Sequence, residues 1–406
     1  MSVPLDRLYN FLHDVCDRDD IIIYRFFPHG SRKITDLVML EDYSKQLSEN
    51  QKKFAIFHDQ EPLNFELYNN IKIVDELLEH SLVYTELKKI LPDELYEKFR
   101  HVNKRMIEKF NLKLAIHSGL YEIPVILVHS EQRSSNLQKY QSCDFIPVYW
   151  WGHALLARDW FRYAEVDPTL EDKQTKKDFL VYNRAWSGTR EYRLKFAEMI
   201  VEKNLHKICH MGFNPNDSGD YKDHQFVNWA FRLNRYDLEN YFHLNNSPST
   251  ASADYESLDY RTTEIEIVLE TLFDDERLQL TEKILRPIAC GQPFMLAGTH
   301  GSLEYLRSYG FETFANLINE EYDTILDPFK RLEAIVNEMS RIASLAEQEK
   351  SKLYAGMRAV ACRNKELFFS KQWEQQIIEE YKRNFSNAYQ QLIESLKEKF
   401  KNVILS

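Results

Sequence analysis

Apolar positions in the first part of the chain come in short β-branched and aromatic runs: IIIYRFF at 21–27, FAIFHD at 54–59 and IPVILVH at 123–129. Runs of this length without polar alternation suit strands buried on both faces. Between them, 75–89 and 93–110 carry helical spacing with charged faces. Strands alternating with helices predict a parallel, doubly wound α/β sheet. The stretch VDPTLEDKQTKKD at 166–178 has no apolar period and is the expected linker. Beyond it a second series begins, with a strand at 179–184 (FLVYNR), a turn (WSGT) and an amphipathic helix at 190–204. Residues 214–259 are rich in Asn, Asp, Ser and Tyr and read as loop. Further strands at 265–273 and 293–298 flank a helix at 280–290 that stops at Gly291. In the helical tail, Ile335, Met339, Ile342 and Ala346 form one stripe, and Ile378, Tyr381, Phe385, Tyr389, Leu392, Leu396 and Phe400 another. The expected domains are 1–170 and 176–335, with helices of 336–406 packing across both.

A chain of 406 residues exceeds what one core usually organises, which agrees with two domains. Hydrophobic residues at 44% and charged residues at 28% carry no signature of disorder. The net charge of −11 argues against coating nucleic acid by bulk electrostatics, although a local basic groove is compatible with it. The opening residues lack a basic segment followed by an apolar run, and eighteen uninterrupted apolar residues occur nowhere. Five scattered cysteines form no CxxC or ligand cluster. A cytoplasmic chain with reduced thiols and no membrane partner is expected.

The densest chemistry lies in LTEKILRPIACGQPFMLAGTHGSLEYLRSYGFETF at 280–314. Glu282 and Lys283 open a helix whose N-terminal amides favour an anion. Glu282 suits ribose hydroxyls and Lys283 a phosphate, while Gly298 to Gly301 would let backbone approach a ligand closely. The plainer alternative is an ordinary helix capped by Thr281. In VYNRAWSGTREYR at 181–193, Arg184 ends a strand and Arg190 begins a helix, where α/β folds place phosphate grips. The alternative, nearer for Arg193, is a solvated helix-start arginine.

In HDQEPL, His58, Asp59 and Glu61 follow a strand and are the candidates for a base that deprotonates an acceptor hydroxyl, against a capping Asp and a Pro turn. His129, Ser130, Glu131 and Arg133 follow another strand, with Arg133 the candidate acceptor contact. The aromatic run at 148–165 reads mostly as core, leaving Trp151 and His153 as possible cleft residues. Asp19/Asp20 and Asp274/Asp275 lack the apolar-flanked DxD pattern and read as solvated acidic loops, so no metal or other cofactor is expected.

The TEK, helix, G-x-P and apolar strand of this stretch resemble the donor-binding motif of fucosyltransferase-type GT-B enzymes. GSLEYLRSYGF, HDQEPL and IPVYWWGHALLARDWFRYAE are similar to glycosyltransferases of T-even-like tailed phages, a likeness that spans nearly the whole chain. The resemblance implies a GT-B fold of two Rossmann-like domains facing a cleft, with C-terminal helices crossing back. It implies transfer of glucose or arabinose from a nucleoside diphosphate, UDP foremost, to 5-hydroxymethylcytosine in duplex phage DNA within the host cytoplasm. The 214–259 loop, with Lys222, His224 and Arg232, would then contact DNA. A transferase acting on glycan or protein, and a non-catalytic binding module on the same scaffold, are the alternatives.

Overall fold

The computed structural model describes residues 21–26, 53–58, 62–63, 92–94, 97, 125–142, 145–183, 185–214, 225–229, 240–244 and 254–405. Arg184, Asp59, Glu61, Lys222, His224, Arg232 and the expected helices at 75–89 and most of 93–110 lie outside them, as do the side chain of His58 and most of the 214–259 loop.

The described strands form two wholly parallel sheets, as the alternating pattern predicts. The first has the order β1-β2-β3-β4, from Ile21–Phe26, Lys53–His58, Val125–His129 and Phe145–Tyr149. β4 is absent from the sequence reading because Pro147 breaks its strand signature. At a sheet edge the missing proline N–H costs no ladder bond, and among the described strands β4 pairs with β3 alone. The second sheet has the order β7-β6-β5-β8-β9. Its strands are β5 (Lys177–Asn183), β6 (Cys209–Phe213), β7 (His243–Leu244), β8 (Thr263–Leu269) and β9 (Phe294–Ala297). β6 was not foreseen either: CHMGF mixes a histidine and a glycine into five residues.

The helices used below are α1 (Asn136–Gln141), α2 (Gly152–Trp160), α3 (Tyr192–Glu202), α4 (Ser257–Thr262), α5 (Glu282–Cys290), α6 (Ser302–Ser308), α7 (Pro328–Ser344), α8 (Glu347–Phe369) and α9 (Lys371–Leu405). No helix among the described residues is long and apolar enough to cross a membrane. Cys209, Cys290 and Cys362 are free thiols.

Packing divides the chain into two units. One contains His153–Ile377; the other ends its first stretch at Gly152 and resumes at Ile378. Residues 153–170, expected in the first domain, therefore pack with the second sheet. The expected linker is fastened to that unit as well. Asp167 caps a short 3-10 turn at Pro168–Leu170, and Lys173 Nζ donates to the carbonyls of Tyr260 (2.6 Å) and Thr263 (2.9 Å). In α9 the buried positions are Trp373, Ile377, Tyr381, Phe385, Ala388, Tyr389 and Leu392. The stripe thus passes through Ile377, not Ile378. Ala346 does not share the stripe of α7: that helix ends at Ser344, and Ala346 caps α8.

In the second sheet β5 lies centrally, β6 and β7 extend to one side, and β8 and β9 to the other. The direction of winding reverses between β5 and β8, which opens the crevice at their carboxyl ends where α/β folds take ligands. α3, α5 and α6 follow β5, β8 and β9, so their N-termini lie on that same edge.

One buried ionic cluster ties α5 to the sheet. Arg286 in α5 meets Glu266 in β8 at 2.7 Å, both side chains being under 9% exposed. Tyr260 donates to Glu266 (2.6 Å), and Arg286 Nε donates to the Tyr260 hydroxyl (3.0 Å). The guanidinium carbon stands 4.2 Å from the centre of the Tyr182 ring. Burial would lower the Arg286 pKa, but Glu266 and the tyrosines around it hold it well above the usual arginine value. Removing one partner strands the other charge, which costs about 3–5 kcal/mol, whereas replacing both by apolar residues is close to neutral. Arg286→Met should therefore lose about 3–5 kcal/mol in urea denaturation, and Arg286→Met with Glu266→Leu should recover most of it.

Candidate functional site

The residues at the carboxyl edge of the second sheet form a continuous hydrogen-bonded chain. Arg193, in the first turn of α3, is 3% exposed, so it is not the solvated arginine that its position suggested. It donates to the carbonyls of Ala185 (2.6 Å), Leu269 (2.7 Å) and Glu270 (3.0 Å), stitching the end of β5 to the end of β8. The Tyr192 hydroxyl donates to the Glu270 carbonyl (2.6 Å) and toward that of Ala297 (3.3 Å), which brings in β9. Burial lowers the Arg193 pKa, and the neighbouring charge of Arg190 acts in the same direction. Arg190 itself is half-buried, in the 3-10 turn Gly188–Arg190 that the WSGT turn predicts.

The chain continues through Glu270 into α5. The Glu270 carboxylate accepts the Thr281 N–H (3.1 Å) and the Thr281 hydroxyl (2.7 Å). Thr281 is the N-cap of α5, as read from the sequence, and its Oγ1 accepts the Lys283 amide (3.4 Å) and ammonium (3.1 Å). Lys283 Nζ also reaches Glu282 Oε1 at 3.0 Å, and Glu282 Oε2 lies 3.8 Å from His153 Nδ1 in α2. Glu282, Lys283 and His153 are thus brought together. Burial pushes the Glu282 carboxyl upward, but Lys283 foremost, then His153 and local hydrogen bonds, bring it down to about 2. Such a carboxylate stays ionised and tethers the Lys283 ammonium.

α5 differs from α6 in what its N-terminus already holds. The Asp323 carboxylate accepts the amides of Leu303 (3.0 Å) and Glu304 (3.4 Å), so the anion preference of α6 is met from within the chain. Gly298 is explained locally as well. A Cβ there would lie 2.6 Å from Ser302 Oγ, so this position is glycine because α6 begins against it. Asp274 accepts from the Trp229 indole (3.0 Å), and Asp275 pairs with Arg277 at 2.6 Å; both are engaged with protein groups and are not simply solvated.

At the carboxyl edge of the first sheet, two of the loops singled out by sequence are joined. The buried Glu131 carboxylate accepts the Leu63 N–H (2.8 Å), and Asn136 donates to the Leu63 carbonyl (2.9 Å). This pins the segment directly after His58, Asp59 and Glu61 to the loop after β3. His129 is buried, and its pKa falls to about 4 for that reason, with a small opposing bond from the Glu131 amide. It is a neutral imidazole at pH 7. Arg133 is exposed and has a positive φ of 55°. The Trp151 side chain, in contrast, is fully buried and offers no ring face to a cleft, while the Trp151 backbone N–H donates toward Glu380 (3.4 Å).

Glu270, Arg193 and Asp323 are the participants that sequence reasoning missed. The available signal for Glu270 was a carboxylate closing the apolar run IEIVLE.

No protein-family model and no curated protein matches this chain. Among solved structures, a glycosyltransferase from Rickettsia africae ESF-5 is similar at 13% identity and a TM-score of 0.35, with 92% of this chain and 98% of that chain covered.

The depressed carboxyl of Glu282 stabilises the fold fully above its unfolded pKa near 4.5, and the contribution drains as pH falls toward about 2. Its size is on the order of 3 kcal/mol. Urea titrations between pH 5 and pH 2 should therefore show a shallower acid limb for Glu282→Gln than for the wild type; superimposable limbs would refute the tethering.

Proposed function

We propose that the protein is a glycosyltransferase whose donor is a nucleoside-diphosphate sugar, with the diphosphate at the N-terminus of α5. The observation that carries this reading is the bonded chain from Arg193 through Glu270 and Thr281 to Lys283, beside the reversal point between β5 and β8. It supports a built anion site for three reasons. The helix end supplies amides and a positive dipole. Lys283 supplies a point charge that a diphosphate can draw from Glu282. Arg190 lies next to Arg193, and Arg184 follows β5 in the sequence; in this reading their guanidinium groups offset charge on the departing nucleotide.

In this reading the proton leaves the acceptor hydroxyl to one of His58, Asp59 and Glu61, as the hydroxyl oxygen attacks the anomeric carbon and the nucleoside diphosphate departs. No metal is assigned to the step; the helix terminus and basic side chains carry the charge. The acceptor proposed from the sequence resemblance is 5-hydroxymethylcytosine in duplex DNA, with Arg133 as a contact, and UDP-glucose or UDP-arabinose as donor. A base hydroxymethyl group stands in the major groove and is reached there or by flipping the base.

The protein incubated with labelled UDP- and GDP-sugars should transfer label to hydroxymethylated DNA and not to unmodified DNA. Label appearing only on oligosaccharide would overturn the DNA acceptor, and nucleotide-sugar binding without transfer or donor hydrolysis would point to a binding module. Lys283→Ala and Arg184→Ala should each lower kcat/KM for the donor by about tenfold or more. Unchanged kinetics in both would remove the donor site from α5.

A further inference from the structure

Glu270 is wholly buried, follows β8, and is given no contact with donor or acceptor above. Both of its carboxylate oxygens are engaged. Oε1 accepts the Thr281 N–H (3.1 Å), while Oε2 accepts the Thr281 hydroxyl (2.7 Å) and the Thr271 N–H (3.2 Å). A threonine hydroxyl has one proton to give. Because that proton points at Glu270, the Thr281 oxygen turns its lone pairs toward the Lys283 amide and ammonium.

The pattern demands a carboxylate and not merely a polar side chain of that shape. Each of the two oxygens receives a backbone N–H, so a glutamine here would set its own NH2 against one of those donors whichever way the amide turned. It would also be free to donate to Thr281 Oγ1 and so occupy the lone pairs that hold Lys283. The Glu270 carbonyl meanwhile accepts Tyr192 and Arg193, so the residue that orients α5 is also the one that α3 grips.

We infer that Glu270 is the positioning residue of this site: it touches no substrate, but fixes the direction of the Thr281 hydroxyl and thereby holds Lys283 at the N-terminus of α5. The role in donor binding rests on the reading of the site given above; the orientation of Thr281 and Lys283 does not.

Two measurements on the full chain separate the two. The first is amide hydrogen exchange at Thr281 and Lys283, read by NMR, with Ile267 inside β8 as the internal control. In Glu270→Gln both amides should exchange about tenfold faster or more while Ile267 is unchanged. Thr281→Val should speed Lys283 alike, and it supplies the test if Glu270→Gln fails to fold. The second is calorimetric titration with UDP and GDP. Glu270→Gln and Thr281→Val should each raise Kd about tenfold, and the double variant should be no more than about twofold weaker than either, because one residue acts through the other. Thr281→Ser, which keeps the hydroxyl, should bind like the wild type.

Wild-type exchange at Thr281 and Lys283 in a folded Glu270→Gln protein overturns the inference whatever the nucleotides do. So do Kd effects that multiply fully in the double variant. If the wild type binds neither UDP nor GDP while exchange at both amides rises in Glu270→Gln, the donor reading falls and the positioning role stands.

Discussion

A buried guanidinium and carboxylate, Arg286 and Glu266, decide where the first turn of α5 can stand. The magnitudes rank the forces acting on that helix. A threonine cap contributes about 1 kcal/mol and a helix dipole with its charges about 0.3–1 kcal/mol. Stranding one half of a buried pair costs about 3–5 kcal/mol. The ionic cluster with Tyr260 and Tyr182 therefore fixes the helix against β8, and Thr281, Glu282 and Lys283 adjust only what is presented at its end. Glu270 directly follows β8, so the strand carries the anchor of α5 and leads straight into the group that orients its cap.

Around this anchor the carboxyl edge of the second sheet is graded in how much of its chemistry is already spent. The amides of α6 are satisfied by Asp323, and Arg193 is spent on three carbonyls. Lys283 is held by a hydroxyl and one ionised carboxylate, an arrangement that leaves an ammonium charge beside a helix end. The first sheet shows a parallel economy. Glu131 and Asn136 clamp Leu63, so the chain leaving β2 is fastened at the last residue of HDQEPL.

The sequence was most legible where a single physical cause acts locally. Apolar runs marked β1, β2, β3, β5, β8 and β9, and the Thr281 and Gly291 caps bracketed α5 to within a residue or two. Where two causes compete, the pattern fails. Pro147 hides β4 because its cost vanishes at an edge, and the run at 265–273 reads as one strand although β8 ends at Leu269 and the Glu270 side chain turns to meet Thr281. The candidate site divides the same way. Glu282 and Lys283 were visible as charges at a helix start, but Arg193 and Glu270 acquire their roles from partners brought close by the return of the chain, which no spacing rule records. The boundary near 170 failed for a related cause: Lys173 and Asp167 look like linker residues and become fastenings only once Tyr260 and Thr263 are beside them.

The last helix has a consequence for how the protein is made. From Ile378 onward α9 belongs to the same packing unit as the sheet formed by the first 150 residues, and the Trp150 ring meets Tyr381 at 4.7 Å. Tyr381, Phe385 and Leu392 are buried core residues contributed by this helix. A ribosome translating from the N-terminus therefore releases the first sheet with its core incomplete, while the His153–Ile377 unit emerges whole. Order of synthesis and order of completion are therefore opposite for the first sheet, which gains these side chains only after the whole His153–Ile377 unit has been made.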